Sequence, residues 1–250
     1  MSGRLEGRVA AITGASSGIG EATALAFARE GAAVALGARR LDRIEELAKR
    51  IEAEGGRAAA IRVDVGDEED AHAFVRGAHE RLGGLDALVN NAGVMLLGPI
   101  EGAPTDQWRQ MVNVNVLGLL YCTQAALPLI RDAGGGNIVN ISSVAGRVGN
   151  PGTAVYNATK WAVVGFSEAL RKEAAPSKIR VTCIEPGYVR TELQGHNEHP
   201  AVKQAIEQME KEIGEILEAE DIAEAILYAV AQPPRAAINE MLIRPAGQAR

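Results

Sequence analysis

Short apolar runs alternate along the chain with longer stretches that mix apolar and polar residues at helical spacing. The short runs are RVAAIT (8–13), AAVALGA (32–38), AAAIRV (58–63), DALVN (86–90), NIVNIS (137–142), IRVTCI (179–184) and INEMLI (238–243). Most are apolar throughout, the pattern of strands covered on both faces. The mixed stretches, about 18–30, 41–54, 67–82, 105–131, 153–175 and 221–231, predict helices. This alternation predicts an α/β fold, a doubly wound parallel sheet of seven strands flanked by helices. No repeat, low-complexity tract or linker interrupts residues 1–250, so one domain is expected. One stretch breaks the rhythm: TELQGHNEHPAVKQAIEQMEKEIGEI (191–216) is polar, partly helical, and follows a strand end directly. Ligands of open α/β sheets sit beyond the carboxyl ends of the strands. Residues 191–216 are therefore a candidate substrate lid.

Composition agrees with this picture and narrows the partners. A chain of 250 residues can bury roughly 70–75% of its unfolded surface in one core. The net charge of -6 argues against nucleic acid as the main partner, because that binding needs basic surface to neutralise phosphates. The opening MSGRLEGRVAAITG has no long apolar run before its first glycine turn, so neither signal peptide nor membrane span is expected and the expected location is cytoplasmic. The two cysteines, Cys122 and Cys183, lie in apolar runs without metal spacing. They read as buried thiols of a reducing compartment.

TGASSGIG (13–20) follows the first predicted strand and opens the first helix. Its glycines, Gly14, Gly18 and Gly20, are spaced more widely than the plain GxGxxG of Rossmann-type sites, and alone the turn fits a tight strand–helix connection equally well. In this context it can cradle a pyrophosphate. Glycines admit the backbone, the helix N-terminus favours the charge, and Ser16 and Ser17 add donors beside Ile19. An NAD site carries an acid about 20 residues on, bonded to the ribose. Here Ala38 stands in that place, followed by Arg39 and Arg40. Arginine binds a 2′-phosphate that a carboxylate would repel, which points to NADP, unless both arginines simply begin a solvated helix.

YNATK (156–160) puts a phenol and an ammonium, Tyr156 and Lys160, four residues apart on one helix face. A phenol with a pKa near ~10 exchanges protons poorly at neutral pH. A neighbouring ammonium favours the phenolate. The five residues alone are equally a solvated surface pair.

With TGASSGIG, NNAG (90–93), NVLG (115–118), SS (142–143), YNATK and PGYVRT (186–191) in order, the chain resembles the short-chain dehydrogenase/reductase family over essentially its whole length. The resemblance implies a catalytic set of Asn115, Ser143, Tyr156 and Lys160. Ser143 is preferred to Ser142 because it stands thirteen residues before the tyrosine, the family's usual spacing. The resemblance places Asp64 and Val65 at the adenine and Asn91, Ala92 and Gly93 beside the cofactor. It places Val114, Pro186, Gly187, Val189 and Thr191 on the nicotinamide side. It also implies that Lys160 holds the nicotinamide ribose, that Asn115 holds a relay water, and that the chain is a homotetramer packing helices 105–131 and 153–175. The expected activity is NADP(H)-dependent interconversion of a small-molecule carbonyl and alcohol. Tyr156 would supply the proton and Ser143 a hydrogen bond to the carbonyl oxygen.

Two alternatives are a carrier-linked 3-oxoacyl reductase and a non-catalytic nucleotide-sensing module. Asn137, where the carrier-linked enzymes usually carry arginine, and the ending INEMLIRPAGQAR depart from the first. Intact Ser143, Tyr156 and Lys160 argue against the second. The ending, with NNAGVMLLGPIE (90–101) and IEPGYVRTELQGH (184–196), is similar to a subgroup containing clavulanic acid dehydrogenase and broad-specificity NADP-dependent hydroxy-acid dehydrogenases. Met95, Val148, Tyr188 and Leu193 are the expected pocket residues. His196 and His199 lack a third ligand nearby, so no metal is expected. His72 and His79 read as surface residues, Pro233 and Pro234 as a helix stop, and Trp108 and Trp161 as helix packing or subunit interface.

Overall fold

A computed structural model describes residues 3–197 and 200–248. Seven strands, β1 (Val9–Thr13), β2 (Ala33–Ala38), β3 (Arg57–Arg62), β4 (Ala87–Asn90), β5 (Gly136–Ile141), β6 (Ile179–Pro186) and β7 (Glu240–Ile243), form one sheet in the order β3-β2-β1-β4-β5-β6-β7. Every pairing is parallel. The helices are α1 (Gly18–Arg29), α2 (Leu41–Ala53), α3 (Glu68–Leu82), α4 (Thr105–Val112), α5 (Gly118–Asp132), α6 (Ala154–Ala174), α7 (Pro200–Ile213) and α8 (Ala219–Val230). The fold is the doubly wound α/β architecture that the alternation predicts.

Successive strand residues feed opposite faces of the sheet. Ile12, Leu36 and Val89 meet Phe27, Ile44 and Ile226 of α1, α2 and α8 on one side. Ala11, Ala35 and Leu88 meet Phe74, Ile130 and Leu170 of α3, α5 and α6 on the other. Fully apolar strands are thus confined to the centre. At the edges, β3 is only half-buried along its middle and β7 alternates exposed with half-buried positions. β7 also starts later than residue 238, where the Ile238 carbonyl instead accepts from Thr182 Oγ at 2.7 Å.

The predicted helix 105–131 is not one regular helix. A π turn, Asn113–Leu117, separates α4 from α5. The run Thr105–Asp132 is long and apolar enough to cross a membrane by composition. Here one side of it packs on the sheet, with Cys122, Ala126 and Ile130 fully buried. Strand order reverses between β1 and β4, so the crevice beyond their carboxyl ends is where such a sheet takes a ligand.

Candidate active site

A cleft of ≈ 1570 Å³ opens at that crevice. Of the residues expected at the site, all but Gly20 and Asn115 line it. At one end, Gly14 and Gly18 turn the chain with φ of 69° and 56°, a region that favours glycine. A Cβ on Gly14 would come within 2.9 Å of Ala92 Cα, and one on Gly20 within 2.4 Å of the Gly14 carbonyl oxygen. Ser17 is the N-cap of α1, yet its side chain does not cap the helix. The first-turn amides therefore lack a side-chain acceptor, which suits an anion. Asn91 ties the end of β4 to this turn by donating to the Thr13 and Gly14 carbonyls at 2.9 and 3.3 Å.

Beyond β2, Ala38 is buried, Arg39 is exposed and Arg40 reaches back over the glycine turn. Arg40 donates to Ser16 Oγ at 2.9 Å and Ser17 Oγ at 2.8 Å. A further bond goes to Glu192 at 2.7 Å. Asp64 Oδ1 accepts from the Gly66 amide at 3.1 Å, while Val65 packs where a Cβ on Gly118 would lie 2.7 Å from its carbonyl oxygen. These residues fit an anionic dinucleotide: a glycine cradle, an uncapped helix start and a guanidinium converge on one channel.

In the middle of the cleft, α6 carries Tyr156 and Lys160 on its buried side. Lys160 Nζ lies 5.7 Å from the centre of the Tyr156 ring and donates to the Ile141 carbonyl at 2.9 Å. Ser143, just beyond β5, lines the same cleft, its Oγ accepting from the Ala145 amide at 3.1 Å and donating to the Pro186 carbonyl at 3.4 Å. Ser142 turns away and donates to the Lys160 carbonyl at 2.9 Å, so the geometry distinguishes the two serines. Burial pushes the Tyr156 phenol up to about 12, with the Ser143 hydroxyl acting in the opposite direction. Burial pushes the Lys160 ammonium down to about 8. Burial dominates the phenol's shift, in the direction opposite to the lowering expected from a neighbouring ammonium.

Asn115 sits in the π turn, 2% exposed, beneath the cleft. Its Oδ1 accepts from the Val94 amide at 2.8 Å, and its Nδ2 donates to the Val94 carbonyl at 2.9 Å and Thr159 Oγ at 3.1 Å. The side chain thus ties the segment after β4 to α6.

At the far end, Met95, Val148, Tyr188 and Leu193 line the cleft as expected, joined by Ile206 and Met209 of α7. The Tyr188 hydroxyl donates to Glu210 of α7 at 2.6 Å. Asn157, unremarked inside YNATK, donates to the Ala145 carbonyl at 2.6 Å and the Val148 carbonyl at 2.5 Å, fixing the loop after β5 on α6. Arg147 of that loop holds Glu185, 1% exposed, with both carboxylate oxygens 2.9 Å from its Nε. Sequence spacing carries no signal for these contacts beyond the polar residue types themselves.

Among the described residues no three His, Cys, Asp or Glu side chains cluster as a metal site. His196 lines the cleft, and His199 lies outside the described residues. His72 shares a hydrogen bond with Gln124 at 3.1 Å. His79 is half-buried on α3, and its Nδ1 is buried without a hydrogen-bond partner. Trp108 packs beside Met111 and Tyr156, and Trp161 is half exposed.

A switch-point cleft behind a glycine-lined helix start defines a dinucleotide-binding α/β protein. The chain belongs to the short chain dehydrogenase family, whose model matches residues 8–201, and so stands among oxidoreductases. An uncharacterized oxidoreductase of Staphylococcus saprophyticus is 41% identical over 244 residues, covering 96% of this chain and 97% of that one. Glycine betaine reductase of Emericella nidulans is 43% identical over 244 residues; they cover 97% of this chain but only 19% of that protein's length. Among solved structures, an alcohol dehydrogenase from the archaeon Thermococcus sibiricus, complexed with 5-hydroxy-NADP, superposes with a TM-score of 0.86 at 32% identity. That match covers 97% of this chain and 98% of the archaeal one.

Proposed function

We propose that the chain is an NADP(H)-dependent oxidoreductase interconverting a small-molecule aldehyde or ketone with its alcohol, as one domain with 191–216 as its lid. The observation that carries this reading is the Lys160 ammonium 5.7 Å from the centre of the Tyr156 ring, with Ser143 lining the same cleft. When bound, the nicotinamide cofactor supplies or accepts the hydride, and its oxidised ring adds positive charge near the phenol. The glycine turn with Ser17 and Ile19 holds the pyrophosphate. Ser16, Arg39 and Arg40 take the 2′-phosphate, which Ala38 does not oppose. Asp64 and Val65 flank the adenine. Residues 91–93, Val114 and the loop Pro186, Gly187, Val189 and Thr191 bound the nicotinamide half. The archaeal relative's complex with 5-hydroxy-NADP supports the choice of cofactor.

In the reducing direction, Ser143 donates to the substrate oxygen as negative charge grows there, and Tyr156 delivers the proton. Burial keeps the phenol protonated, so the acid is in place before the reaction. Lys160, brought down to about 8, exchanges protons near neutral pH and can restore the phenol after turnover. Asn115 positions α6 through Thr159, whose hydroxyl also donates to the Tyr156 carbonyl at 2.7 Å. Buried, unpaired Cys122 and Cys183 support a reducing, cytoplasmic setting. Incubating the protein with aldehydes, ketones and hydroxy acids while following NADPH absorbance tests the reading. Turnover of a carbonyl substrate, faster with NADPH than with NADH, is expected; no turnover across the panel with either cofactor contradicts it.

A further inference from the structure

We propose that Glu192 is a built-in competitor for the cofactor's 2′-phosphate, and that by occupying Arg40 and Arg43 it sets how strongly the site prefers a phosphorylated dinucleotide. The proposal rests on the NADP reading above. Glu192 Oε2 accepts from Arg40 Nη1 at 2.7 Å and its Oε1 accepts from Arg43 Nη1 at 2.6 Å. The other nitrogens of Arg40 face the hydroxyls of the glycine turn. Arg40 is therefore shared between the cofactor channel and this carboxylate, and a carboxylate and a phosphate use the same planar fork of donors.

Glu192 also opens the segment that leads to α7. It follows Thr191, whose Cγ2 would lie 3.1 Å from a Cβ on Gly18, and it begins the 3₁₀ turn Glu192–His196. The tie joins this segment to the start of α2 across the mouth of the cleft. Arg43 and Arg40 hold the Glu192 carboxyl down at about 2, so it remains charged at any ordinary pH. Proton uptake cannot release it; a competing anion can. A 2′-phosphate arriving at Arg40 displaces Oε2 while Oε1 can stay with Arg43. NADH brings no such anion and leaves the tie whole.

Titration by nicotinamide fluorescence, without substrate, tests this on the wild-type protein and on Glu192→Gln. The variant keeps the side-chain shape and removes the competing charge. Its affinity for NADPH should rise about two- to fivefold, the range for a half-exposed ion pair, with NADH affinity unchanged. The gain should shrink at high salt. An unchanged NADPH-to-NADH affinity ratio, or weaker NADPH binding, overturns the proposal. If the wild type prefers NADPH and the ratio does not move, the competitor role fails while the cofactor reading stands. If only the variant prefers NADPH, the competitor role holds and the cofactor reading of the natural protein fails. No preference in either protein overturns both.

Discussion

The Lys160 ammonium stands 5.7 Å from the centre of the Tyr156 ring, and both side chains are buried. Burial moves them in opposite directions, the phenol up to about 12 and the ammonium down to about 8. The result is a neutral phenol beside a lysine that titrates close to the working range. A buried lysine of this kind costs stability and is retained for what it does.

Lys160→Met should therefore lose activity yet gain up to about 3 kcal/mol of stability near pH 7. Lys160 ordinarily titrates at 10.5 and here at about 8. Between those values the unfolded chain binds one more proton than the folded chain, so wild-type stability climbs with pH and the variant's advantage shrinks. Tyr156 acts the other way. Between 10.0 and about 12 the folded phenol keeps a proton that the unfolded one loses, so stability falls there. Urea unfolding of both proteins near pH 7 and near pH 9.5 checks this; a gap independent of pH contradicts it.

Asn157→Ala leaves the Ala145 and Val148 carbonyls without their donor. The expected cost is about 1–3 kcal/mol. Because Val148 lines the substrate end of the cleft, KM should rise more than kcat falls. Thermal unfolding and steady-state kinetics measure the two effects, and a drop in kcat at constant KM would show that the loop holds the chemistry instead of the pocket.

Helix α7 presents Ile206 and Met209 to the cleft and takes the Tyr188 hydroxyl on Glu210. Hydrogen exchange in 200–213 should slow when cofactor and a substrate analogue bind, and should quicken in Tyr188→Phe. Unchanged exchange on ligand binding would mean that another element closes the pocket.

Exposed Val112 of α4 and Trp161 of α6, at 41% and 53%, form apolar surface consistent with assembly through these helices. Light scattering at micromolar concentration should give about four chain masses, and Trp161→Glu should give smaller species. A monomeric wild type contradicts the assembly.

The central sheet was legible because doubly covered parallel strands are buried at every position and so mostly apolar, as VAAIT and ALVN show. The edges were less so: β7 has one covered face, and its pattern of burial alternates. The π turn at Asn113–Leu117 leaves no mark in the sequence, because its residues are as helix-compatible as their neighbours. Motif order located the residues of the cleft. Their electrostatics were not legible, since the spacing of Tyr156 and Lys160 records a shared helix face but not the desolvation of both groups. The Arg40–Glu192 pair spans 152 positions, and only folding brings it together.

Tyr156→Phe tests the account most directly, since it removes the proton donor and keeps the ring. With an aldehyde or ketone that the wild type reduces, NADPH consumption should fall roughly 10²–10⁴-fold, the range for general acid–base catalysis. NADPH binding, read by fluorescence, should remain nearly intact. Turnover within a few-fold of wild type would contradict the assignment of Tyr156 as the acid.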